Sequence, residues 1–372
     1  MKKIAIIGGG IIGMTLANYL DREQFEITVF DSGKNQATGA SAGIISPWLS
    51  KRRNKKWYAL ARDGASFFEQ LVTDFNLHES IYEKCGSLFL RSSKALQELE
   101  QLALERRKTA PEIGEIRRLR PEETEKKLPL LKAAESLYIS GGARLDGKAY
   151  LEHLRARAEA KGIHIIKTEA RVRRRRHDWE VASTQESFFV DELVLTPGPA
   201  LKSLLEQLGY SAAVSPQKGQ LLSFDTSFET GEWPVAFLDG EAELIPFQEG
   251  RLLLGATHEN EAAWDLSPTQ EAFEQLTKGV QPFLKEDFFT KTAYNYRVGT
   301  RAYTPDFAPF FGPIEGEAGL IVASGLGSSG LTTGPYIAYL LAQYLNSTQR
   351  QWEMGIYTKD LKNYIKAKNA SK

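Results

Sequence analysis

Cysteine is almost absent: Cys85 is the only one in 372 residues. A single thiol excludes an internal disulfide and any cysteine-rich metal site. Histidine is scarce as well, five in all, with no H-x-x-x-H spacing, so no metal is expected. There is no excess of charge: 47 Lys+Arg balance 47 Asp+Glu, a formal net charge of zero. That removes any general pull toward nucleic acid or an anionic membrane. Two basic runs, KRRNKK (51–56) and RVRRRR (171–176), come without a nucleic-acid-binding motif and read as solvated loop and strand-end charge. No stretch reaches the roughly 18 apolar residues of a membrane span. MKKIAIIGGGIIGM begins like a secretory signal, but three glycines break its apolar run and no small-residue cleavage site follows. The expectation is a soluble, cytoplasmic protein. Internal repeats and low-complexity linkers are missing too, and the length suits two domains with substantial cores.

What is present begins at residue 4. Ile4 to Ile7 form a short apolar run suited to a buried parallel strand. Gly8, Gly10 and Gly13 then spell G-x-G-x-x-G at the head of a predicted helix. Each glycine has its own reason: a tight turn, room for a pyrophosphate, and close helix–strand packing. The helix start offers free N–H groups and partial positive charge to phosphate. A second strand, EITVFD, ends at Asp31, eighteen residues past Gly13. A carboxylate there can accept both hydroxyls of an adenosine ribose.

That fingerprint serves NAD and FAD alike. The next segment separates them. TGASAGIISPW (38–48) is a second small-residue loop, where Thr38 and Ser41 can crowd a ligand. An NAD dehydrogenase has no standard use for such a loop here; an extended FAD does.

From this point the chain resembles the glycine oxidase and D-amino acid oxidase family of FAD-dependent oxidoreductases. The resemblance rests on IIGGGIIG with Asp31, then GASAGIISP, and it continues in order along almost the whole chain. ARLDGKAYLEHLRARAEAKGIHI (143–165), with EARV after it, is similar to a helix-and-strand segment near the adenine. DELVLTPGPAL (191–201), SPQKGQLL (215–222), GRLLLGAT (250–257), VGTRAYTPD (298–306) and GLGSSGLTTGP (325–335) are similar to further family segments.

The fold that the resemblance implies is α/β: a discontinuous, Rossmann-like FAD-binding domain and a second, mainly antiparallel β substrate domain. The first takes residues 1–85, 141–213 and 295–372, the second 86–140 and 214–294. The residues agree with this from 214 onward, where consecutive strands replace βα alternation. Asp239-Gly240 marks a hairpin and Glu249-Gly250 another turn. Ser267-Pro268 reads as the cap of a helix whose Phe273, Leu276, Val280 and Phe283 share one face. The tail from Lys359 reads as helical and then frayed.

The resemblance also implies the cofactor contacts. FAD would be held by Gly8, Gly10, Ile11, Ile12 and Gly13, with Asp31 and Ser32 at the ribose. Thr38, Ala40, Ser41, Gly43 and Ile44 would follow in the second loop, and Val172, Thr196 and Gly198 around the adenine side. Gly299, Arg301, Gly327, Ser328, Ser329, Gly330, Leu331 and Thr332 would meet the flavin end, with Thr333 a further candidate there. Pro335 is placed near the first turn of the helix that follows. The FAD is expected to be non-covalent, because the 38–48 loop holds neither cysteine nor histidine.

The implied activity is oxidation of a small amine or amino acid, with hydride passing from the C–H beside nitrogen to flavin N5. The resulting imine hydrolyses, and O2 or another acceptor takes the electrons. Such chemistry depends on holding the substrate by its other end. Gly299-Thr300-Arg301 matches the family's G-x-R motif, whose arginine grips a carboxylate bidentately. Pairing of Arg301 with Asp306 is the structural alternative. Arg297 stands where the family commonly has tryptophan and has no role assigned.

Three departures bear on substrate. Leu326 replaces a common histidine, Gly198-Pro199-Ala200 replaces G-x-W, and Glu243 falls where a tyrosine usually faces the substrate. Glu243 is the second candidate catalytic residue; it suits a cationic group or points to solvent. Three other readings stand beside the oxidase. One is a same-family dehydrogenase serving a quinone or carrier, another an NAD-dependent dehydrogenase, and the last a flavin-binding protein without amine oxidase activity.

Overall fold

Strand Lys2–Ile7 runs in parallel between Phe25–Phe30 and Glu192–Leu195, at the centre of a six-stranded sheet. The computed structural model describes residues 1–34, 37–52, 54–184, 186–240 and 242–368. Outward from the centre lie His164–Ile166 on one side and Leu320–Ser324 on the other, both parallel. Phe310–Pro313 closes the second edge in antiparallel sense. Ile4, Ala5 and Ile6 are fully buried, as an apolar run with helices and strands on both faces requires. Helix Ile11–Tyr19 packs against Gly330–Asn346 and Gly147–Ala160, and Lys55–Phe75 lies beyond. Their apolar stripes form the largest core of the molecule.

An eight-stranded sheet faces this unit. Its strand order is Tyr294–Tyr303, Ser215–Asp225, Arg251–Gly255, Glu243–Pro246, Val235–Phe237, Ser87–Phe89, Ser136–Ile139 and Ile116–Leu119. All neighbours are antiparallel except Val235–Phe237 beside Ser87–Phe89. The hairpin around Asp239-Gly240 and the turn at Glu249-Gly250 fall where expected, with Gly240 at φ +84° and Gly250 at φ +77°. The sheet draws its strands from 87–139 and 215–303. Strand Tyr294–Tyr303 pairs with Ser215–Asp225 along its whole length, so the expected boundary at 294/295 falls just inside a strand. Covering the far face, helix Gln270–Val280 buries Ala272, Leu276 and Val280.

Two local expectations are corrected. Thr269, not Ser267, caps that helix, its side chain accepting from Ala272 N; Phe283 lies in a following 3-10 turn, Gln281–Phe283. The tail is not helical as far as it is described. Asp360 caps a 3-10 turn at Leu361–Asn363, and Ile365–Ala367 then pairs antiparallel with Tyr210–Ala212. Tyr364 stacks on Phe310 at 4.8 Å and is buried, which draws the chain onto the sheet edge. Residues 369–372 lie outside the described residues.

Candidate functional site

The turn after the first strand explains its glycines. Gly8 has φ +108°, and a Cβ there would lie 2.5 Å from the Thr196 carbonyl oxygen. At Gly13 a Cβ would meet the Gly8 oxygen at 1.9 Å, so its smallness serves helix–strand contact. Gly10 differs: the nearest atom to a Cβ there is Thr38 Oγ1, at 3.6 Å. The position opens onto a cavity, as a ligand-approach glycine should. Gly10 also caps helix Ile11–Tyr19 without a side chain. Thr38 Oγ1 accepts from Ile11 N at 3.1 Å, which ties the second loop to the first.

Asp31 stands just past strand Phe25–Phe30, and a Cβ on Gly9 would come within 2.6 Å of its Oδ2. Its Oδ1 accepts from Gly33 N at 3.2 Å and its Oδ2 from Arg155 Nη2 at 2.8 Å. Arg155, on helix Gly147–Ala160, was not foreseen, because a partner 124 residues away leaves no local signal. The expected result of Asp31→Ala is weaker FAD binding with turnover at saturating FAD nearly unchanged. The expected contact would supply binding, far from the reacting carbon. Titration of the apoprotein with FAD, followed by kcat, checks both halves.

A cavity of about 1110 Å3 runs from Asp31 and Ser32 past Gly8–Ile12 to Arg301 and Glu243. Thr38, Ala40, Ser41, Gly43, Ile44, Thr196, Gly198, Gly299 and Gly327–Thr332 line it as well. Two of the expected contacts do not. Gly13 sits behind the wall for the packing reason above. Val172 is fully buried, its N–H donating to Gln207 Oε1 at 3.1 Å; its neighbours Ala170 and Arg171 form the wall.

At the far end, the last turn before helix Gly330–Asn346 is a 3-10 turn, Gly327–Ser329. The helix start has no side-chain cap, so its first N–H groups lack partners within the helix, and Ser329, Gly330, Leu331 and Thr332 line the cavity. Pro335 sits just past the first turn of this helix.

Arg301 and Arg297 lie on one face of strand Tyr294–Tyr303, separated by Gly299. Only Arg301 lines the large cavity; Arg297 lines a separate one of about 330 Å3 with Lys148, Glu152 and Arg155. The half-buried Arg301 guanidinium lies flat on Gly219 of the paired strand. A Cβ on Gly219 would come within 2.5 Å of Arg301 Cζ. Arg301 Nη1 donates to the Thr257 carbonyl at 2.9 Å and to Gln217 Oε1 at 3.3 Å. Asp306, its alternative partner, pairs with Lys359 at 2.6 Å instead. Among the described residues, no carboxylate lies within ion-pair distance of Arg301. Burial pushes its pKa down, opposed by the charges of Tyr303, Glu243 and Glu259.

Glu243 also lines the cavity, half-buried, opposite Gly255 in register. Leu326, Leu221, Phe237 and Leu238 give the same region an apolar wall. Several lining residues were missed. His258 and Trp264 lie in an irregular segment with no motif to flag them. Arg91 has no motif around it either. Arg52 belongs to a run read as solvated, yet its Nη2 donates to Ser328 Oγ at 3.0 Å at the cavity mouth. Beside it Trp57 Nε1 donates to Ser329 Oγ at 3.0 Å. Gly219 did carry a signal, the P-x-K-G-Q segment, though the reason for the glycine was not visible there.

The donor set fits FAD. A glycine loop open at Gly10, a carboxylate at one end, and uncapped helix N–H groups at the other bracket one continuous cavity. Its volume exceeds the roughly 300–1,000 Å3 typical of a small-ligand site. Among the described residues no group of side chains could hold a metal, and no helix is long and apolar enough to cross a membrane.

Comparison with known proteins agrees. The family model for FAD dependent oxidoreductases matches residues 3–344. The chain is 36% identical to the uncharacterized oxidoreductase YurR of Bacillus subtilis (strain 168), over 96% of this chain and 98% of that protein. It is 25% identical to the glycine oxidase of Pseudomonas aeruginosa, over 94% of this chain and 96% of the other. Iminodiacetate oxidase from Chelativorans sp. BNC1 superposes with a TM-score of 0.89 at 27% identity, covering 95% and 98% of the two chains. Glycine loop, carboxylate, second loop and far helix thus have one explanation: the chain belongs to the FAD-dependent oxidoreductase family that includes the glycine oxidases, and it is a flavoenzyme.

Proposed function

We propose that this enzyme oxidises a small primary or secondary amine that carries a carboxylate. One observation carries the reading: Arg301 presents a half-buried guanidinium to the cavity with no carboxylate partner among the described residues. Such a charge favours an anionic group from the ligand, held as a charge-assisted pair. Bound in the cavity, FAD would supply the two-electron acceptor for the hydrogen on the carbon beside nitrogen. The chain's own residues do the positioning. Arg301 anchors the carboxylate, and the wall of Leu221, Phe237, Leu238 and Leu326 excludes water and favours the neutral amine. N–H groups at the start of helix Gly330–Asn346 place partial positive charge on the cavity wall. Glu243 offers its carboxylate to any second, cationic group of the substrate. The names of the glycine and iminodiacetate oxidases both describe small amines with carboxylates, which supports the same class for this chain. O2 or another acceptor completes turnover, and the cytoplasm is the proposed compartment.

Purified protein should be yellow, and denaturation should release all of its flavin into solution. Colour kept by the precipitate would indicate a covalent link, with the cavity-lining His258 the residue to inspect. Anaerobic mixing with glycine, N-methylglycine and iminodiacetate, each against the matching amine without a carboxylate, tests the substrate class. Flavin bleaching only by carboxylated amines is the expected result. Equal bleaching by amines lacking the carboxylate would remove Arg301 from its proposed role.

A further inference from the structure

We propose that Gln217 is a positioning residue, fixing which edge of Arg301 meets the substrate carboxylate. The inference rests on the reading of Arg301 given above and adds the geometry of its grip.

A guanidinium has five N–H groups: one on Nε and two on each terminal nitrogen. Arg301 Nη1 already donates to two acceptors, the Thr257 carbonyl at 2.9 Å and Gln217 Oε1 at 3.3 Å. One face of the plane lies against Gly219. What remains is the edge formed by Nε and Nη2, for which no acceptor is found among the described residues. A carboxylate can take two parallel N–H bonds from that edge. The end-on alternative, through Nη1 and Nη2, would compete for Nη1 with Gln217 and Thr257. The substrate is therefore gripped side-on.

Both acceptors are themselves held. Thr257 N donates to the Gln220 carbonyl at 3.0 Å, and Thr257 Oγ1 accepts from Gln220 N at 2.9 Å. The following residues continue the ladder, with Lys218 and Glu259 exchanging backbone bonds at 3.0 Å each way. Gln217 is the direct register partner of Arg301 and is buried. Its Nε2 donates to Asn260 Oδ1 at 2.7 Å, which turns the amide oxygen toward the arginine. A reversed amide would set N–H against N–H at Arg301, so the cation itself selects this orientation. The arrangement gives Arg301 neutral acceptors only. Neither of these two acceptors brings a charge of its own to compete with the ligand.

That distinction supplies the test. Gln217→Glu keeps size and reach but sets a carboxylate against Nη1, so the protein's own anion competes with the substrate's. Gln217→Leu removes the acceptor and leaves the charge free. Acetate is the probe, its binding followed by perturbation of the bound flavin spectrum in the holoenzyme. Gln217→Glu should weaken acetate by about tenfold or more, the scale of a close charge interaction. Gln217→Leu should weaken it less. For a carboxylated amine, KM should rise more than kcat falls, because the carboxylate is held in ground and transition states alike. FAD occupancy should match the parent in both variants. Acetate binding unchanged in Gln217→Glu, or equal losses in the two variants, would overturn the positioning role. Arg301→Ala separates the layers. If it abolishes acetate binding while Gln217→Glu does not alter it, the clamp stands and the positioning role falls. If Arg301→Ala binds acetate normally, both fall together.

Discussion

Arg301→Ala lowers kcat/KM for a carboxylate-bearing amine by roughly 30-fold or more, on the scale of about 2–5 kcal/mol for truncating one partner of an enclosed charge pair. The expectation follows from where the two arginines go. Arg301 opens into the large cavity, whereas Arg297 faces a different one and keeps a buried Nη1 without an acceptor. Arg297→Ala should therefore cost much less. Arg301→Lys should restore only part of the loss, because an ammonium offers a point charge and not a planar fork. Steady-state kinetics on one substrate from the bleaching screen, with FAD occupancy measured in each variant, makes the comparison. Equal losses at both arginines would indicate a shared structural role. No loss at Arg301 would turn attention to Glu243 and a cationic substrate.

Gly10→Val should abolish FAD binding and leave the fold in place. A Cβ at this position meets nothing closer than Thr38 Oγ1 at 3.6 Å, so the protein itself has room for it. The room is needed only by a ligand, and a branched side chain would fill it. Gly8→Val is the control with the opposite reason, since there a Cβ strikes the Thr196 carbonyl and φ is +108°. Gly10→Val should purify colourless with wild-type far-UV circular dichroism, while Gly8→Val should lose the fold as well. A yellow Gly10→Val protein would mean that the pyrophosphate does not pass this residue.

These expectations could be framed from sequence because local rules govern the first strand, its glycine turn and Asp31. The same holds for the hairpin at Asp239-Gly240, whose turn residues announce themselves. Long-range partners were not legible. Arg155 on Asp31, Arg52 on Ser328 and Tyr364 on Phe310 depend on how distant segments meet, and no spacing encodes them. The strand at Val172 was legible, but not that Gln207, 35 residues further on, takes its N–H. The tail misled for another reason. Its charged residues suit a helix in isolation, and Tyr364 and Ile365 override that preference by burial.

Gly219 lies diagonally across paired strands from Arg301, and the guanidinium occupies the space a side chain at 219 would need. Their substitutions are therefore conditional on one another. With Arg301 in place, even alanine at 219 would push the guanidinium away from Gln217 and Thr257. With Arg301 gone, the same alanine fills a vacated shelf and relieves the cost of glycine in a strand. Gly219 cannot drift while Arg301 stays. A lineage on this fold that gave up gripping a carboxylate would be free to change the glycine next, and one that kept the arginine would not.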